Sequence, residues 1–356
     1  MRKLTLLLLL IPFSISAQMG GKHTYQFLNL TNSARIAALG GNYLSVKDKD
    51  LTLALANPSF IDEDLHTSMA LSFVDYFTDV NYGFASYSHT FKKVGSFAAT
   101  MQFIDYGRFT QADESGQVLG NFNASEYALT IGWGRKLSPH FTIGSNLKFI
   151  YSDLADLNSF GMAVDVAGSY FSDKGKMAVT LLLKNIGRQL DPYVKGQTDP
   201  LPFEIQLGMS KQFGKLPLRF HILTTHLERW DLTYEDPANP DPVVDPLTGD
   251  SLAPRKFEKW LDKLGRHLVF GVEFMPAKVF SIRVGYNYQR RQEMIIDAKK
   301  GLVGLSYGFG FRVSKFSFSY ARNHYALGGV PNYITVSTSI SAFKMKNSSS
   351  VPVKTD

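Results

Sequence analysis

The side chains best equipped for chemistry are scattered along this chain. There are eight histidines and no cysteine, so a thiolate nucleophile and any Cys-based metal site are excluded. His221 and His226 flank the end of one expected strand but differ in parity, which puts them on opposite faces of a sheet. No G-x-S-x-G elbow, phosphate loop or H-E-x-x-H pair occurs. Asp236, Asp241, Asp245 and Asp250 raise the idea of calcium, but their spacing is not that of an EF-hand loop and prolines interrupt it. The expectation is a protein that is not an enzyme and carries no metal or cofactor. An outer-membrane hydrolase would need a Ser/His/acid cluster assembled from distant parts of the chain near the membrane face.

Two other sets of residues stand out. The four aspartates belong to an insertion, residues 229–265, that ends in "RKFEKWLDKLG". There Phe257, Trp260, Leu261 and Leu264 fall at helical spacing. With Trp230 they suggest a partner-docking surface or a lid, since aromatic anchors dominate interfaces and long loops are rarely idle. The second set is charged: Lys148, Glu204, Arg283 and Arg312 each sit within alternating apolar segments, beside polar residues such as Asn146 and Gln206. Such residues belong on a face hidden from lipid, where Arg or Lys at mid-bilayer costs about 2–4 kcal/mol.

The elements that must position these residues are strands. From about residue 66 the chain alternates with period two. Tyr127, Leu129, Ile131 and Trp133 share one face, and Ala128, Thr130 and Gly132 the other. "VFSIRVGYNY" sets Phe280, Ile282 and Val284 against Ser281, Arg283 and Gly285, and "LVGLSYGFGFRV" repeats the scheme. Fourteen strands are expected, starting near 66, 79, 94, 123, 140, 158, 176, 201, 217, 266, 278, 301, 315 and 332. Short links near 92–95, 137–140, 172–176, 214–217, 275–278 and 313–315 alternate with longer ones near 105–122, 153–158, 188–200, 229–265, 290–300 and 324–331. That order is the asymmetry of an outer-membrane barrel, with tight periplasmic turns and longer external loops. A soluble sandwich explains the alternation but not the order of links. The fold expected is an all-β transmembrane antiparallel barrel of about fourteen strands, residues 66–343.

Composition agrees. Aromatic residues make up 13% of the chain, 27 Phe, 17 Tyr and 3 Trp, and mean hydropathy is near zero because alternation hides the apolar half. The net charge of +7 is mild and dispersed, which argues against nucleic acid as a partner. Residues 1–17, with Arg2 and Lys3 before an apolar run and "SISAQ" after it, read as a signal peptide, implying export to the outer membrane. Residues 344–356 read as a disordered tail.

Between signal and barrel, residues 18–65 are different. "SARIAALGG" reads as a slim helix, small at Ala34, Ala37 and Ala38 and ended by Gly40 and Gly41. It is expected to start on the periplasmic side and plug the lumen, Arg35 pairing with a lumenal acid such as Glu204. "YQFLNLTNSARIAALGGNYLSV", followed by "ALANPSFI", resembles the PorV/PorQ family of Bacteroidetes outer-membrane proteins, which is related to the FadL fatty-acid transporters. Ser33, Arg35, Gly40, Gly41 and the Asn57-Pro58 pair carry the match; Ser59 stands where the FadL group has alanine. With "ERWDLTYE", the likeness is strongest to the PorQ branch. The resemblance implies a FadL-like barrel with an N-terminal plug. It also implies a non-enzymatic role in the type IX secretion system, anchoring a PorZ-type surface protein beside PorU and PorV; the aromatic anchors Trp230, Phe257 and Trp260 are the docking residues expected on the external loop. The alternative is a FadL-like channel for hydrophobic small molecules.

Overall fold

Alternating segments of this kind can bury every backbone N–H and C=O in a membrane only by closing into a ring. The computed structural model, which describes residues 23–46, 48–172, 176–213, 216–233, 256–295 and 301–343, shows that ring. The strands are β1 (Ser68–Phe77), β2 (Val80–Phe91), β3 (Gly95–Ala112), β4 (Val118–Ser138), β5 (Phe141–Leu154), β6 (Leu157–Phe171) and β7 (Met177–Asp191), then β8 (Glu204–Gln212), β9 (Leu218–Thr224), β10 (Leu268–Ala277), β11 (Phe280–Asn287), β12 (Leu305–Val313), β13 (Phe316–Asn323) and β14 (Asn332–Ser339). Each pairs antiparallel with its sequence neighbours, and β1 pairs with β14 to close the barrel. Every expected start lies within about five residues of the observed one. Among the described residues no helix is long and apolar enough to cross a membrane. The expected signal peptide, the tail and the four loop aspartates lie outside the described residues.

The outer face is apolar, with Leu71, Phe73, Leu129, Leu181, Ile222 and Phe309 exposed. At the end with the short turns, aromatic pairs bridge strands: Phe91 with Phe97, Phe213 with Phe220 and Phe311 with Phe318, ring centroids 5.4–5.8 Å apart. Rings so placed suit an interfacial girdle, and the short turns beside them assign this end to the periplasm.

The opposite end departs from expectation. Residues 105–122 are mostly not a loop. β3 and β4 stay paired out to Ala112 and Val118, around a short turn in which Asp113 accepts hydrogen bonds from the backbone N–H groups of Ser115 and Gln117, both at 2.9 Å. Residues 153–158 hold only the turn 155–156, and β7 runs to Asp191. Length at the outer end is therefore partly strand, because the backbone pairing of β3 and β4 continues where their side chains no longer alternate between buried and exposed.

The lumen is filled by residues 23–46 and 48–65. Helix α1 (Ala34–Ala38) is capped by Ser33, whose side chain accepts from the Ile36 N–H at 3.3 Å. Gly40 and Gly41 follow with φ of 103° and 90°, the left-handed exit that glycine makes inexpensive. Helix α2 (Thr52–Ala56) comes next, and a short turn at Pro58–Phe60 rests near the periplasmic end. The helix is slim for a reason visible in the wall: a Cβ on Gly285 would overlap the backbone of Leu39 and Gly40, and one on Gly144 the backbone of Pro58. The expected entry from the periplasmic side is corrected at the first described residues. Thr24 donates to Pro200 O, and the Tyr25 hydroxyl lies 2.5 Å from Ser159 Oγ, both near the outer end. Tyr25, Phe27 and Leu28 hold the segment there by joining a buried apolar cluster with Val74, Tyr82, Ile104 and Tyr333.

Candidate functional site

Period-two geometry turns Arg219 of β9, Glu273 of β10 and Arg283 of β11 toward the lumen, and α1 presents Arg35 to them. Glu273 is fully buried. It accepts from Arg35 Nε and Nη2 at 2.9 Å each, from Arg219 Nη1 at 2.9 Å and from Arg283 Nε at 2.8 Å. Arg35 also donates to Asp48 Oδ2 at 2.5 Å and to Asp50 Oδ2 at 3.2 Å, and Arg219 donates to Asp48 Oδ2 at 2.8 Å. Three guanidinium groups thus meet three carboxylates across the boundary between plug and wall. Burial opposes the charge on Asp48, but Arg35 and Arg219 outweigh it and hold the carboxyl below its usual range. An isolated charge here would be prohibitive; the network is stable because its lone pairs and protons are nearly all used.

The expected Arg35–Glu204 pair is therefore corrected to Arg35–Glu273. Glu204 opens β8 at the outer end, where its Oε1 lies 3.9 Å from His226 Nε2, whereas Arg35 reaches toward the periplasmic half. Lys148 is lumenal and bonded to Asp165 and Asn185, each at 2.8 Å. Arg283 is lumenal and belongs to the charge network of Arg35, Arg219, Glu273, Asp48 and Asp50, hereafter the latch. Arg312 has lumenal parity but sits at the periplasmic rim, where it is exposed and its Nε donates to Ser317 Oγ at 3.2 Å; β12 ends one residue later, so little wall remains to cover it.

Asn57 and Pro58 hold the floor of the plug. Asn57 is completely buried. Its Nδ2 donates to Leu44 O at 2.7 Å and lies 3.2 and 3.3 Å from the hydroxyls of Ser169 and Thr180, while Oδ1 accepts from Ser59 N and Oγ. Ser59 Oγ in turn reaches Ser169 Oγ at 2.6 Å, a bond an alanine there would lack.

Outside the membrane, helix α3 (Lys256–Arg266) forms where the spacing predicts one. Phe257 stacks beside Trp260 at 6.3 Å and Trp260 lies 6.4 Å from Trp230, with Phe257, Trp260 and Trp230 exposed by 67%, 48% and 51%. Trp230 also stacks on His267, which ties this patch to the start of β10. The structure brings these three together and leaves them far from the latch.

Sequence reasoning missed Glu273, Arg219, Asp48 and Asp50. Glu273 was findable: it is a lone acid inside "VFGVEFM", at the parity of the buried Val269, and only the lumen tolerates it there.

Fold and site together define a closed, fourteen-stranded antiparallel β-barrel whose lumen is occupied by its own N-terminal segment. No protein-family model matches the chain, and no curated protein matches it in sequence. Among solved structures it is similar to the Pseudomonas putida toluene transporter TodX, at TM-score 0.51 and 11% identity over 88% of this chain and 99% of that one. It is also similar to the CymD monoaromatic hydrocarbon channel, at TM-score 0.50 and 11% identity over 87% and 98%. A Pseudomonas aeruginosa FadL homologue gives 0.47 and 10% over 87% and 98%. Identity this low establishes a shared fold and nothing finer.

Proposed function

We propose that the protein is an outer-membrane passage for small hydrophobic compounds whose N-terminal segment occupies the binding site until it is displaced. One observation carries this reading. The outer half of the lumen is an apolar, aromatic cup of Val74, Tyr82, Phe84, Ile104, Ile150 and Tyr333, and the chain fills it with its own Tyr25, Phe27 and Leu28. Each of those three side chains gains about 1.5–3 kcal/mol from burial. A hydrophobic ligand would recover that gain by taking their place, which a hydrophilic solute would not. TodX, a toluene transporter, and CymD, a monoaromatic hydrocarbon channel, share the fold over nearly their whole lengths. The test is uptake of radiolabelled toluene and of a long-chain fatty acid by cells expressing the chain. Wild type is expected to exceed the empty vector, and Tyr82→Glu, which charges the cup, to abolish the excess. Uptake equal to the empty vector for both compounds would sink this reading.

A second reading rests on a different observation, the exposed Trp230/Phe257/Trp260 patch. Together with the PorV/PorQ resemblance it supports an anchor for a surface partner of the type IX secretion system. Retention of secreted cargo on cells lacking the gene separates the two: full retention with lost hydrophobic uptake refutes the anchor.

A further inference from the structure

At the periplasmic end the barrel opens into a vestibule of about 470 Å³ beneath the latch. Its walls carry five cationic side chains, Arg35, Lys49, Lys278, Arg283 and Arg312, against the three acids Asp48, Asp50 and Glu273. Those acids are committed to Arg35, Arg219 and Arg283 within the latch, and Lys49 pairs with Asp64 at 3.3 Å. Lys278 and Arg312 have no carboxylate partner among the described residues. Behind them, Arg283 is more than nine-tenths buried and spends its Nε on Glu273, while its Nη1 has no hydrogen-bond partner. Gly310 keeps this back wall open. A Cβ there would come within 2.7 Å of Arg283 Nη1, 3.0 Å of Ser319 Oγ and 3.1 Å of Ser281 Oγ, so three donors surround one spot that any side chain would fill. The result is a polar recess with surplus positive charge, an unused donor at Arg283 Nη1 and a Ser281 hydroxyl held only by a long 3.4 Å bond to Gly310 O, facing the periplasm.

We propose that this vestibule binds a phosphate group. Lys278 and Arg312 attract it at the rim, and Arg283 with the hydroxyls of Ser281 and Ser319 receives its oxygens at the back. Guanidinium and hydroxyl donors around a concave site suit a tetrahedral oxyanion better than a planar or neutral group. The group can arrive on a soluble molecule or on a phospholipid of the inner leaflet, which the rim adjoins. Either source would place an anion beside Arg283, a member of the latch. This inference does not depend on what passes through the barrel.

The experiment uses the purified full-length barrel in a neutral detergent and follows phosphorus NMR linewidths of two probes, inorganic phosphate and phosphatidylglycerol in mixed micelles. Saturable broadening is expected with at least one probe. Broadening by phosphate assigns a soluble ligand, and broadening by the lipid alone assigns a headgroup. Two exposed cations each contribute about two- to fivefold, so the double variant Lys278→Gln/Arg312→Gln should bind about 4- to 25-fold more weakly. Gly310→Ala, which narrows the back wall, should weaken binding while the heat-dependent gel mobility of the folded barrel is unchanged. The proposal fails if wild type saturates with neither probe, or if the double variant binds within twofold of wild type.

Discussion

Replacing Glu273 by glutamine should loosen the plug without opening the barrel. The substitution preserves shape but removes the charge that accepts four hydrogen bonds from Arg35, Arg219 and Arg283. Removing one partner from a buried ion pair costs about 3–5 kcal/mol. Here the lower end applies, because Arg35 and Arg219 keep Asp48 while Arg283 loses the carboxylate that, among the described residues, lies within bonding range of it. At about 1.4 kcal/mol per factor of ten, 3 kcal/mol raises the unseated population roughly 150-fold. The chain has no cysteine, so a single reporter thiol is unambiguous. Ser45 suits it, being buried on the plug with an unpartnered hydroxyl. Labelling of Ser45→Cys by a small maleimide, under conditions where reclosing outpaces reaction, follows the open population. Ser45→Cys with Glu273→Gln should label about two orders of magnitude faster than Ser45→Cys alone, at unchanged gel mobility of the folded barrel. Rates within twofold would refute the latch as the element that holds the plug.

Three further outcomes follow from the geometry. Gly285→Ala should lower the midpoint of thermal unfolding, since the added Cβ overlaps the plug backbone and overpacking costs about 1–3 kcal/mol; Gly120→Ala, where nothing lies within 4 Å of a Cβ, should not. Burial disfavours charge on His226, but its contact with Glu228, 3.0 Å away, and the nearby acids outweigh burial and raise its pKa, while the same contact lowers that of Glu228. Their mutual stabilisation is therefore complete below the ordinary histidine pKa and is lost as pH rises through the raised one; it fails again as acid titrates Glu228 below the usual carboxylate range. Hydrogen exchange at the Ile205 N–H, which donates to Glu228 at 2.8 Å, should quicken at both limits, and His226→Gln should remove the alkaline limb. Changing Trp230, Phe257 and Trp260 together to alanine should leave barrel stability within about 0.5 kcal/mol, as exposed sites do, while abolishing co-purification of any surface partner; a partner still fully bound would clear the patch of that role.

The wall was legible because a lipid-facing strand has no freedom in its alternation: Ile282 and Val284 must point out, so Arg283 must point in. Helix α1 was legible from its small residues and paired glycines. What escaped was connectivity across space. Arg35 has acids available on several strands, and nothing in one dimension ranks Glu273 above Glu204; the choice depends on axial height, set by where each strand begins. Asp48 and Asp50 lie in a loop whose lack of periodicity hides which way they face. The outer links were misjudged for a related reason: glycine and polar residues at 107–121 read as loop, yet a hairpin standing clear of the membrane needs no apolar face.

The position of the plug also bears on how the barrel is made. Residues 23–46 and 48–65 precede β1 in the chain, yet they fill the lumen from the outer cluster at Tyr25 to the floor at Asn57. Passing such a segment through a finished ring packed against Leu39, Gly40 and Pro58 would mean dragging an arginine network past apolar walls. The economical order is the reverse, with the sheet curling around the plug as a form on which it is wound. Closure then falls to β14, and there Thr335 meets both ends of the process at once, its hydroxyl accepting from the Ala34 N–H at 2.9 Å while lying 2.9 Å from Ser72 Oγ on β1. The seam of the barrel is sealed against the plug itself, so a strand order that closes without it lacks its last hydrogen-bonded partner.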